Sequence, residues 1–354
     1  MATTKQPVRT ALCSFGMSGW VFHAPFIAIN PGFELYAVWE RTKNLSQTKY
    51  PGVKIVRSLE EMLSDPSIEL VVVNTPNATH YEYTKKVLQA GKHVIVEKPF
   101  TITVAEGEEL IQLAKERNRI ITVYQNRRFD SDYRTVKKIV DEGWLGQIVE
   151  AEIHYDRYKE EIGPKLHKET PGPGTGLLYD LGSHLLDQAI QFFGMPESIF
   201  ADIAIMRKVS KVDDYMELLL FYPGLRVRVK SSYVVREALP SYVFHGTKGS
   251  FIKARTDVQE VMLQASVVPG GPEWGVEPDS EKGLLHTEKD GKIIREYIPS
   301  LKGNYGDYYD QLYKAIRENA PVPVTAEQGL NIIRIIEAAY ESNRDKKVVA
   351  VKKK

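Results

Sequence analysis

The fold is best predicted from the segment Val94-Ile95-Val96-Glu97-Lys98-Pro99-Phe100. Its apolar, β-branched first half predicts a strand buried on both faces, as in a parallel sheet covered by helices. Lys98 follows where this strand ends, and ligands of open α/β sheets bind beyond the carboxyl ends of the strands. Pro99 restricts the backbone of the residue before it and so fixes how Lys98 leaves the strand. Lys98 is therefore a candidate ligand contact, with a solvated turn lysine as the alternative.

A nucleotide-binding turn is predicted near the start of the chain. The segment Thr10-Ala11-Leu12-Cys13-Ser14-Phe15 predicts a strand, and Gly16-Met17-Ser18-Gly19 then precedes a helical stretch. This matches the second and third glycines of the G-x-G-x-x-G fingerprint, while Ser14 stands at the first. Close backbone approach at Gly16 and the N–H groups of the helix start suit a pyrophosphate. We expect cofactor contacts from Ser14, Gly16, Met17, Ser18 and Gly19.

The residues after the second strand bear on the choice of nucleotide. The strand Glu34-Leu35-Tyr36-Ala37-Val38-Trp39 ends at Glu40, about where an acid that binds the adenosine ribose is expected. A carboxylate accepts from both ribose hydroxyls and repels a 2′-phosphate, so Glu40 favours NAD. Arg41 follows directly and either holds a 2′-phosphate or stacks on adenine. The expected cofactor is therefore NAD or NADP, with NAD favoured by Glu40.

Further strands and helices alternate up to Tyr124, and they predict a Rossmann domain over residues 1–125. Strands at Leu70 to Asn74 and Ile120 to Tyr124 are separated by helix-length segments, which is typical of a right-handed, doubly wound parallel sheet. The loop after the first of these strands reaches the same sheet edge as Lys98, and an ordinary proline turn is the alternative there. The expected cofactor set is completed by Thr75, Pro76, Asn77, His80, Glu97 and Lys98.

The second half of the chain changes to a period of two residues. Val149, Ala151 and Ile153 alternate with charged residues, which indicates a strand with one face buried. Similar strands at 198–206, 216–222, 226–235 and 242–245 are joined by short turns. We expect 126–354 to form an α+β domain with a large, mostly antiparallel open sheet. This domain would bind substrate and associate through the open face as a homodimer or homotetramer.

The C-terminal third combines one irregular stretch with two helices. Residues 264–285 are predicted to form an irregular loop around Trp274, and this loop is a candidate lid. Helices are predicted at 305–318 and 326–343, and the second is opened by a capping box of Thr325 and Gln328.

A second segment with candidate catalytic residues is Asp180-Leu181-Gly182-Ser183-His184, which lies in a leucine-rich stretch that predicts a helix. One helical turn separates Asp180 from His184, so the carboxylate can orient the imidazole, while a structural buried pair is the alternative. Oxidation of a secondary alcohol needs a base for the hydroxyl proton and a cation near the developing alkoxide. We therefore expect His184 as the base, Asp180 as its orienting group and Lys98 as the cation.

Polar residues at the start of the second domain suit a hydroxyl-rich substrate. Arg127, Asp130, Tyr155 and Arg157 are the candidates, and ion pairs of Arg127 and Arg128 with Asp130 and Asp132 are the alternative. Asp187 lies near His184 in sequence, but a second histidine at helical spacing is missing, so no metal is expected.

Composition excludes several classes of function. The 354 residues carry a formal net charge of +1, so no bulk charge favours nucleic acid or an anionic membrane. Cys13 is the single cysteine, which excludes internal disulfides and suits a reducing compartment. The first residues lack the apolar stretch of a signal peptide, and no run reaches membrane-spanning length. We expect a soluble, cytoplasmic protein.

These motifs resemble the glucose-fructose oxidoreductase/inositol dehydrogenase/MocA (Gfo/Idh/MocA) family. Glu97-Lys98-Pro99 is similar to its lysine motif, and Asp180-Leu181-Gly182-Ser183-His184 to its Asp-x-x-x-His motif. Phe22-His23-Ala24-Pro25 and Asn126-Arg127-Arg128-Phe129-Asp130 most resemble the branch with scyllo-inositol dehydrogenases that favour NADP. Two positions depart from the pattern: Ser14 replaces the first glycine, and Glu40 stands where that branch usually has a small residue.

The resemblance implies an NAD(P)-dependent dehydrogenase with Lys98, Asp180 and His184 as catalytic residues and a cyclic polyol or sugar as substrate. It also implies cofactor contacts from Gly16, Gly19 and the Glu40-Arg41 pair. Two other functions stay open at this point. One is a glycosidase that oxidises its sugar transiently and regenerates its cofactor, and the other is a non-catalytic regulator that binds the nucleotide.

Overall fold

The computed structural model describes residues 6–163, 166–256 and 258–352. Within these ranges the chain folds as two compact units. The first unit contains the chain up to Asn126 together with Gln259–Trp274 and Asn304–Leu330, and the second contains Arg127–Val258, Gly275–Gly303 and the chain from Asn331 onward. The division into domains at 1–125 and 126–354 stays a prediction, and two late segments of the chain belong to the first unit.

The described α-helices, numbered along the chain, are α1 (Ala24–Ile29), α2 (Leu45–Lys49), α3 (Leu59–Ser64), α4 (His80–Gln89), α5 (Val104–Glu116), α6 (Ser131–Asp141), α7 (Leu166–Glu169), α8 (Ser183–Phe193), α9 (Val258–Gln264), α10 (Gly306–Glu318) and α11 (Ala326–Asp345). Two further segments, Ser18–His23 and Leu178–Gly182, are π-helical turns that run directly into α1 and α8. Short 3₁₀ turns lie at Asn77–Thr79, Asn126–Phe129 and Asp279–Glu281. None of the described helices has the length and hydropathy needed to cross a membrane.

The first unit is built on a parallel sheet. Its strands, within the described residues, are β1 (Val8–Leu12), β2 (Phe33–Trp39), β3 (Lys54–Val56), β4 (Leu70–Val73), β5 (His93–Val96) and β6 (Ile121–Val123). They lie in the order β3-β2-β1-β4-β5-β6, and every neighbouring pair is parallel. β4 and all of β5 after His93 are buried on both faces. The predicted doubly wound sheet is confirmed, and Lys98 follows β5 at its carboxyl end.

The second unit is built on a larger, mixed sheet. Its described strands are β7 (Ile148–His154), β8 (Ser198–Ala204), β9 (Tyr215–Tyr222), β10 (Leu225–Ser232), β11 (Tyr242–Gly246), β12 (Gly249–Lys253), β13 (Gly283–Lys289), β14 (Lys292–Ile298) and β15 (Val349–Ala350). The order is β14-β13-β12-β11-β7-β10-β9-β8-β15. Only the pairing of β7 with β10 is parallel among these described strands. The prediction of a large, mostly antiparallel sheet is confirmed.

Local signals explain where several helices begin. The Thr103 hydroxyl accepts from the backbone N–H of Glu106, whose carboxylate accepts from the Thr103 N–H in return, which opens α5. The predicted box before α11 forms in the same way, because Thr325 and Gln328 exchange hydrogen bonds of 3.1 Å. α11 ends two residues beyond the predicted limit, at Asp345.

The stretch predicted as an irregular loop at 264–285 is partly ordered. It begins at the end of α9, contains a 3₁₀ turn and passes into β13 at Gly283. Trp274 is buried in the first unit, where its ring meets that of Phe26 edge-on at 6.0 Å. This part of the stretch is therefore anchored by its tryptophan, and the prediction of a loop over its whole length is wrong.

Candidate active site

The glycine turn after β1 is closed by contacts within the turn. The hydroxyl of Ser14 accepts a hydrogen bond of 3.0 Å from the Gly16 N–H, so the serine in place of the first glycine tightens the turn. A Cβ at Gly19 would overlap the carbonyl oxygen of Ser14, which is why helix and strand pack closely only with glycine there. The Nδ2 group of Asn74 donates to the same oxygen at 2.8 Å. Gly16 itself is exposed.

Glu97, the residue before Lys98, is the centre of a buried hydrogen-bond network. Its Oε1 accepts from the Ser18 hydroxyl and from Nε2 of His23, the latter at 3.0 Å. Its Oε2 accepts from the backbone N–H of Lys98 at 3.2 Å. The other ring nitrogen of His23 lies 2.7 Å from the Tyr309 hydroxyl. This network connects the glycine turn to the end of β5.

The network keeps the Glu97 carboxylate ionised. Burial alone would raise the pKa of Glu97, but the hydrogen bonds from His23 and Ser18 and the charge of Lys98 outweigh burial. They hold the pKa of Glu97 at about 2, below its usual 4.5. Sequence reasoning did not assign His23 a functional role, although the residue lies in one of the segments that carry the family resemblance. The His23 ring also packs against the Tyr124 ring, with 4.3 Å between the two ring centroids.

His80 joins the loops that follow β4 and β5. It is buried, with Nε2 2.9 Å from the Thr75 carbonyl oxygen and Nδ1 2.7 Å from the Pro99 carbonyl oxygen. Burial lowers the pKa of His80, and its two carbonyl partners oppose this effect. Because both ring nitrogens are engaged by the backbone, His80 can support a cofactor only through the positions of Thr75 and Pro99. Thr75 is also linked to Thr79 by a hydroxyl contact of 2.7 Å.

Glu40 has a structural role in the loop after β2. It is buried, and its Oε2 accepts from the Leu45 N–H at 2.9 Å. Its Oε1 accepts from the N–H and the hydroxyl of Ser46, at 2.7 and 2.5 Å. Arg57 fixes the same loop by donating to the Glu40 carbonyl at 2.8 Å. Both carboxylate oxygens therefore hold the start of α2, while Arg41 is exposed.

The first unit also contains buried polar atoms that fit a nicotinamide nucleotide. Asn74 follows β4 and Gln125 follows β6, so both lie at the carboxyl edge of the sheet. Their side-chain oxygens are buried and have no hydrogen-bond partner within the described residues. Buried acceptors of this kind normally have a donor, and a carboxamide supplies one. Together with the open backbone at Gly16, these atoms fit an NAD(P) cofactor.

In the second unit, Asp213 holds the start of the Asp180–His184 segment. Its carbonyl oxygen accepts from the Leu177 N–H at 2.8 Å and its Oδ2 accepts from the Leu178 N–H at 2.9 Å. The Tyr340 hydroxyl donates to Oδ1 at 3.2 Å. Gly176 has a φ of +95°, and a Cβ there would overlap the Asp213 carboxylate. Burial raises the pKa of Asp213.

Asp180 and His184 lie on either side of the junction between the π-helical turn and α8. His184 is buried, and the Asp180 carboxylate is 18% exposed. Lys168, which sequence reasoning missed, donates to Oδ1 of Asp180 at 2.6 Å. Lys98 belongs to the first unit, whereas Asp180, His184 and Lys168 belong to the second.

The two arginines after β6 have different partners. Nη1 of Arg127 lies 3.4 Å from the Asp130 carboxylate. Arg128 binds Asp187 with two hydrogen bonds of 2.8 and 2.6 Å, so both Asp187 oxygens face a guanidinium. Among the described residues, no group of three or more His, Cys, Asp or Glu side chains is arranged to hold a metal ion.

Tyr155 is surrounded by three guanidinium groups. Those of Arg127, Arg157 and Arg255 lie 5.7, 4.9 and 4.5 Å from its ring centroid, and Arg157 also donates to its hydroxyl at 3.0 Å. The structure thus brings together Arg127, Tyr155 and Arg157 of the predicted substrate set. Arg255 was not predicted, because it follows β12 without any motif, about a hundred positions after Tyr155 in the chain.

We expect Glu97→Gln to lower the free energy of unfolding at pH 7 by roughly 1–3 kcal/mol, since it removes a charge that buried donors stabilise. The folded-state pKa of Glu97 is about 2 and its usual value is 4.5, so the stabilisation is complete above pH 4.5 and lost as pH falls toward 2. The difference between wild type and variant should therefore shrink over that interval. Denaturant unfolding followed by tryptophan fluorescence measures it.

The matched control is Glu273→Gln, which changes an exposed glutamate of the same unit. This control should show no such pH dependence. A wild-type advantage over Glu97→Gln that stays constant down to pH 3 would contradict the role of the Glu97 charge.

Comparison with known proteins agrees with this geometry. Residues 8–125 match the family model GFO_IDH_MocA, which is described as the NAD-binding Rossmann fold of an oxidoreductase family. Residues 137–351 match the model of the C-terminal alpha/beta domain of the same family. The scyllo-inositol 2-dehydrogenase (NADP(+)) IolW of Bacillus subtilis (strain 168) is 39% identical over 342 residues, which cover 97% of this chain and 95% of that protein.

Solved structures show the same fold. A putative oxidoreductase from Bacteroides fragilis is 49% identical with a TM-score of 0.89, covering 97% of this chain and 99% of that one. The putative oxidoreductase yvaA from Bacillus subtilis is 38% identical with a TM-score of 0.95, covering 99% of this chain and all of that one. The chain therefore belongs to the Gfo/Idh/MocA family of NAD(P)-dependent oxidoreductases, as a dehydrogenase that acts on CH–OH groups.

Proposed function

We propose that this dehydrogenase uses NADP(H) to interconvert a secondary hydroxyl and a ketone on a cyclic polyol or sugar. The observation that carries the proposal is the position of Lys98, which follows β5 at the carboxyl edge of the Rossmann sheet and is joined by Glu97 to the glycine turn. The second unit contributes Asp180 and His184 at the start of α8. A relative along nearly the whole chain is named as an inositol dehydrogenase.

In the proposed mechanism, each catalytic residue stabilises a charge that develops during the reaction or transfers a proton. A nicotinamide cofactor held at the turn of Gly16 and Gly19 would supply the acceptor for the hydride of the alcohol carbon and, in the reverse direction, its donor. The Lys98 ammonium donates a hydrogen bond to the substrate oxygen and stabilises negative charge there. A ring nitrogen of His184 takes the hydroxyl proton during oxidation and gives it back during reduction. Asp180 stabilises the resulting imidazolium and orients its ring.

The other predicted groups position the cofactor and the substrate. Ser14, Gly16 and Gly19 shape the pyrophosphate turn, with Met17 and Ser18 at the start of its helical segment. Thr75, Pro76 and Asn77 border the nicotinamide ribose, and His80 holds that loop in place. Hydroxyl-binding groups come from Arg127, Asp130, Tyr155 and Arg157, which the second unit holds close together.

We expect Lys98→Met and His184→Ala each to lower kcat/KM by about 10²-fold or more, since each removes charge or proton handling in the transition state. Reduced nicotinamide is followed by absorbance at roughly 340 nm with a panel of inositols and aldoses, separately with NAD and NADP. Lys115→Met, at an exposed lysine of α5, is the matched control and should keep full activity.

Two results would contradict the proposed reaction. Cleavage of a glycoside without net cofactor reduction would favour the transient-oxidation glycosidase. Tight cofactor binding without turnover of any polyol or sugar would favour the non-catalytic regulator, and Lys98→Met should then leave cofactor binding unchanged.

NADP is proposed over NAD because of the loop after β2. Glu40 is buried and already accepts three hydrogen bonds from Leu45 and Ser46, which leaves little of its acceptor capacity for ribose hydroxyls. Arg41 is exposed beside it and suits a 2′-phosphate. The relative IolW is named as an NADP(+) enzyme. This reverses the preference for NAD that the sequence suggested from Glu40.

Arg41→Ala tests the cofactor preference. It should raise KM for NADP by about tenfold, the usual scale for one lost charge-assisted hydrogen bond, and leave KM for NAD nearly unchanged. Initial rates with the two cofactors measure this, and NAD is the internal control. An equal rise for both cofactors, or a wild-type preference for NAD, would contradict the assignment.

Association through the open face of the larger sheet belongs to the same proposal. Phe200 on β8 is 36% exposed, on the face opposite the buried Ile199 and Ala201, and it would be covered in a homodimer or homotetramer. Native mass spectrometry at micromolar concentration should show a dimer or tetramer, and a monomer would exclude this interface.

A cytoplasmic location is also proposed, on the basis of the single cysteine, and cell fractionation tests it.

A further inference from the structure

We propose that the polyol or sugar carries an anionic group, a carboxylate or a phosphate, and that Arg157, Lys159 and Lys168 of the second unit bind it. This inference rests on the proposed function and narrows its substrate class. Lys168 of the short helix α7 contacts Asp180 at 2.6 Å, and Arg157 and Lys159 of the segment after β7 lie close enough to be influenced by the Asp180 charge.

The segment after β7 is held as an extension of the strand. Backbone hydrogen bonds run from the Arg157 N–H to the Ser232 carbonyl at 2.9 Å and from the Lys159 N–H to the Tyr233 carbonyl at 2.8 Å. Side chains alternate along an extended segment, so Tyr155, Arg157 and Lys159 share one side of it. Arg157 lies 4.9 Å from the Tyr155 ring centroid and Lys159 lies 4.8 Å from that of Tyr233. The two cations are thus placed over aromatic rings.

These cations exceed the acids available to them. In the described part of the chain, no carboxylate lies within 4.0 Å of Arg157 or Lys159, whereas Lys168 contacts Asp180 at 2.6 Å. Burial lowers the pKa of Lys159, the charges of Arg157 and Lys168 lower it further, and Asp180 and Glu169 act in the opposite direction. An anion placed between Arg157 and Lys159 would relieve this repulsion.

The nearest further acids already have a partner. Arg207 is buried and binds Glu169 and Asp214, each at 2.8 Å. It also donates to the Glu161 carbonyl oxygen at 2.9 Å, which fixes the backbone just after Lys159. Arg157 and Lys159 are therefore held over uncharged aromatic rings, while the carboxylate of Glu169 is engaged by Arg207.

This arrangement suits an anion better than a neutral polyol. A guanidinium offers a planar pair of donors to a carboxylate or phosphate, and a neighbouring ammonium adds a point charge. Asp180, which is proposed to act with His184, lies in the same cluster. An anionic group bound there would hold the rest of the substrate next to the proposed proton-transfer residues.

The test compares acids with neutral substrates of the same ring shape. Glucuronate is compared with glucose, galacturonate with galactose, and an inositol monophosphate with inositol, each with wild-type enzyme and NADP. We expect kcat/KM to be about tenfold or more higher for the anion in at least one pair, in line with a charge-assisted hydrogen bond. The uronates test a carboxylate and the phosphate ester tests a phosphate. The preference should fall as ionic strength rises.

Lys159→Gln provides the variant arm, with Lys211→Gln as its matched control at an exposed lysine of the same unit. Lys159→Gln should reduce the preference for the acid about tenfold, by raising KM for the anion. Lys211→Gln should leave the preference unchanged. Isothermal titration of each of the three acids into enzyme with NADP should show the same weakening for Lys159→Gln with at least one acid, whether or not turnover follows.

The inference is overturned if neutral substrates are used as well as their acids, or if the two lysine variants behave alike. In either case net oxidation of neutral polyols would leave the proposed function standing. Absence of turnover with every acid and every neutral compound would instead overturn the proposed function, while the titration still decides whether the cluster binds an anion.

Discussion

The ionised carboxylate of Glu97 is the interaction on which the first unit's candidate site depends. A buried charge is tolerated only when donors surround it, and Glu97 receives them from Ser18, His23 and the Lys98 backbone. These donors come from the glycine turn, the π-helical turn after it and the end of β5. The carboxylate therefore fixes the backbone at Lys98 relative to the turn that is expected to hold the cofactor's phosphates.

A similar constraint operates in the second unit. Asp213 binds the first N–H groups of the Leu178–Gly182 turn, and the conformation of Gly176 makes room for its carboxylate. The π-helical turns Ser18–His23 and Leu178–Gly182 are thus each held at their start or end by a half-buried acid, Glu97 or Asp213. Such turns are uncommon and occur frequently at functional sites. Each unit uses a carboxylate outside the proposed chemistry to position a residue within it.

Much of the fold was predictable because it depends on local patterns. The buried run of β5 and the alternation around it predicted the parallel sheet, and a period of two predicted the antiparallel strands. The hairpin of β13 and β14 was missed, although Asp290-Gly291 at its turn, with φ of +53° and +74°, is a strong hairpin signal. The adjacent glycine-rich and proline-rich stretch suggested a loop instead.

The site was predictable only in part, because its partners are distant in sequence. The motifs identified Lys98, Asp180 and His184, whereas their surroundings come from residues far along the chain. Tyr309 reaches His23 across 286 positions, and Arg255 reaches Tyr155 from another strand. The hydrogen bonds of Glu40 were not predictable for a related reason: a carboxylate after β2 has the same sequence pattern whether it binds a ribose or holds a helix start, and its contacts with Ser46 become visible only in the structure.

Following the hydride itself tests whether the proposed transfer between substrate and nicotinamide takes place. The best polyol or sugar substrate, deuterated on its carbinol carbons, is incubated with the enzyme and NADP, and the reduced cofactor is isolated and examined by mass spectrometry and NMR. We expect one deuterium at nicotinamide C4, with the label on a single face of the ring. Reduced cofactor without deuterium, or oxidised substrate without reduced cofactor, would contradict the proposed transfer.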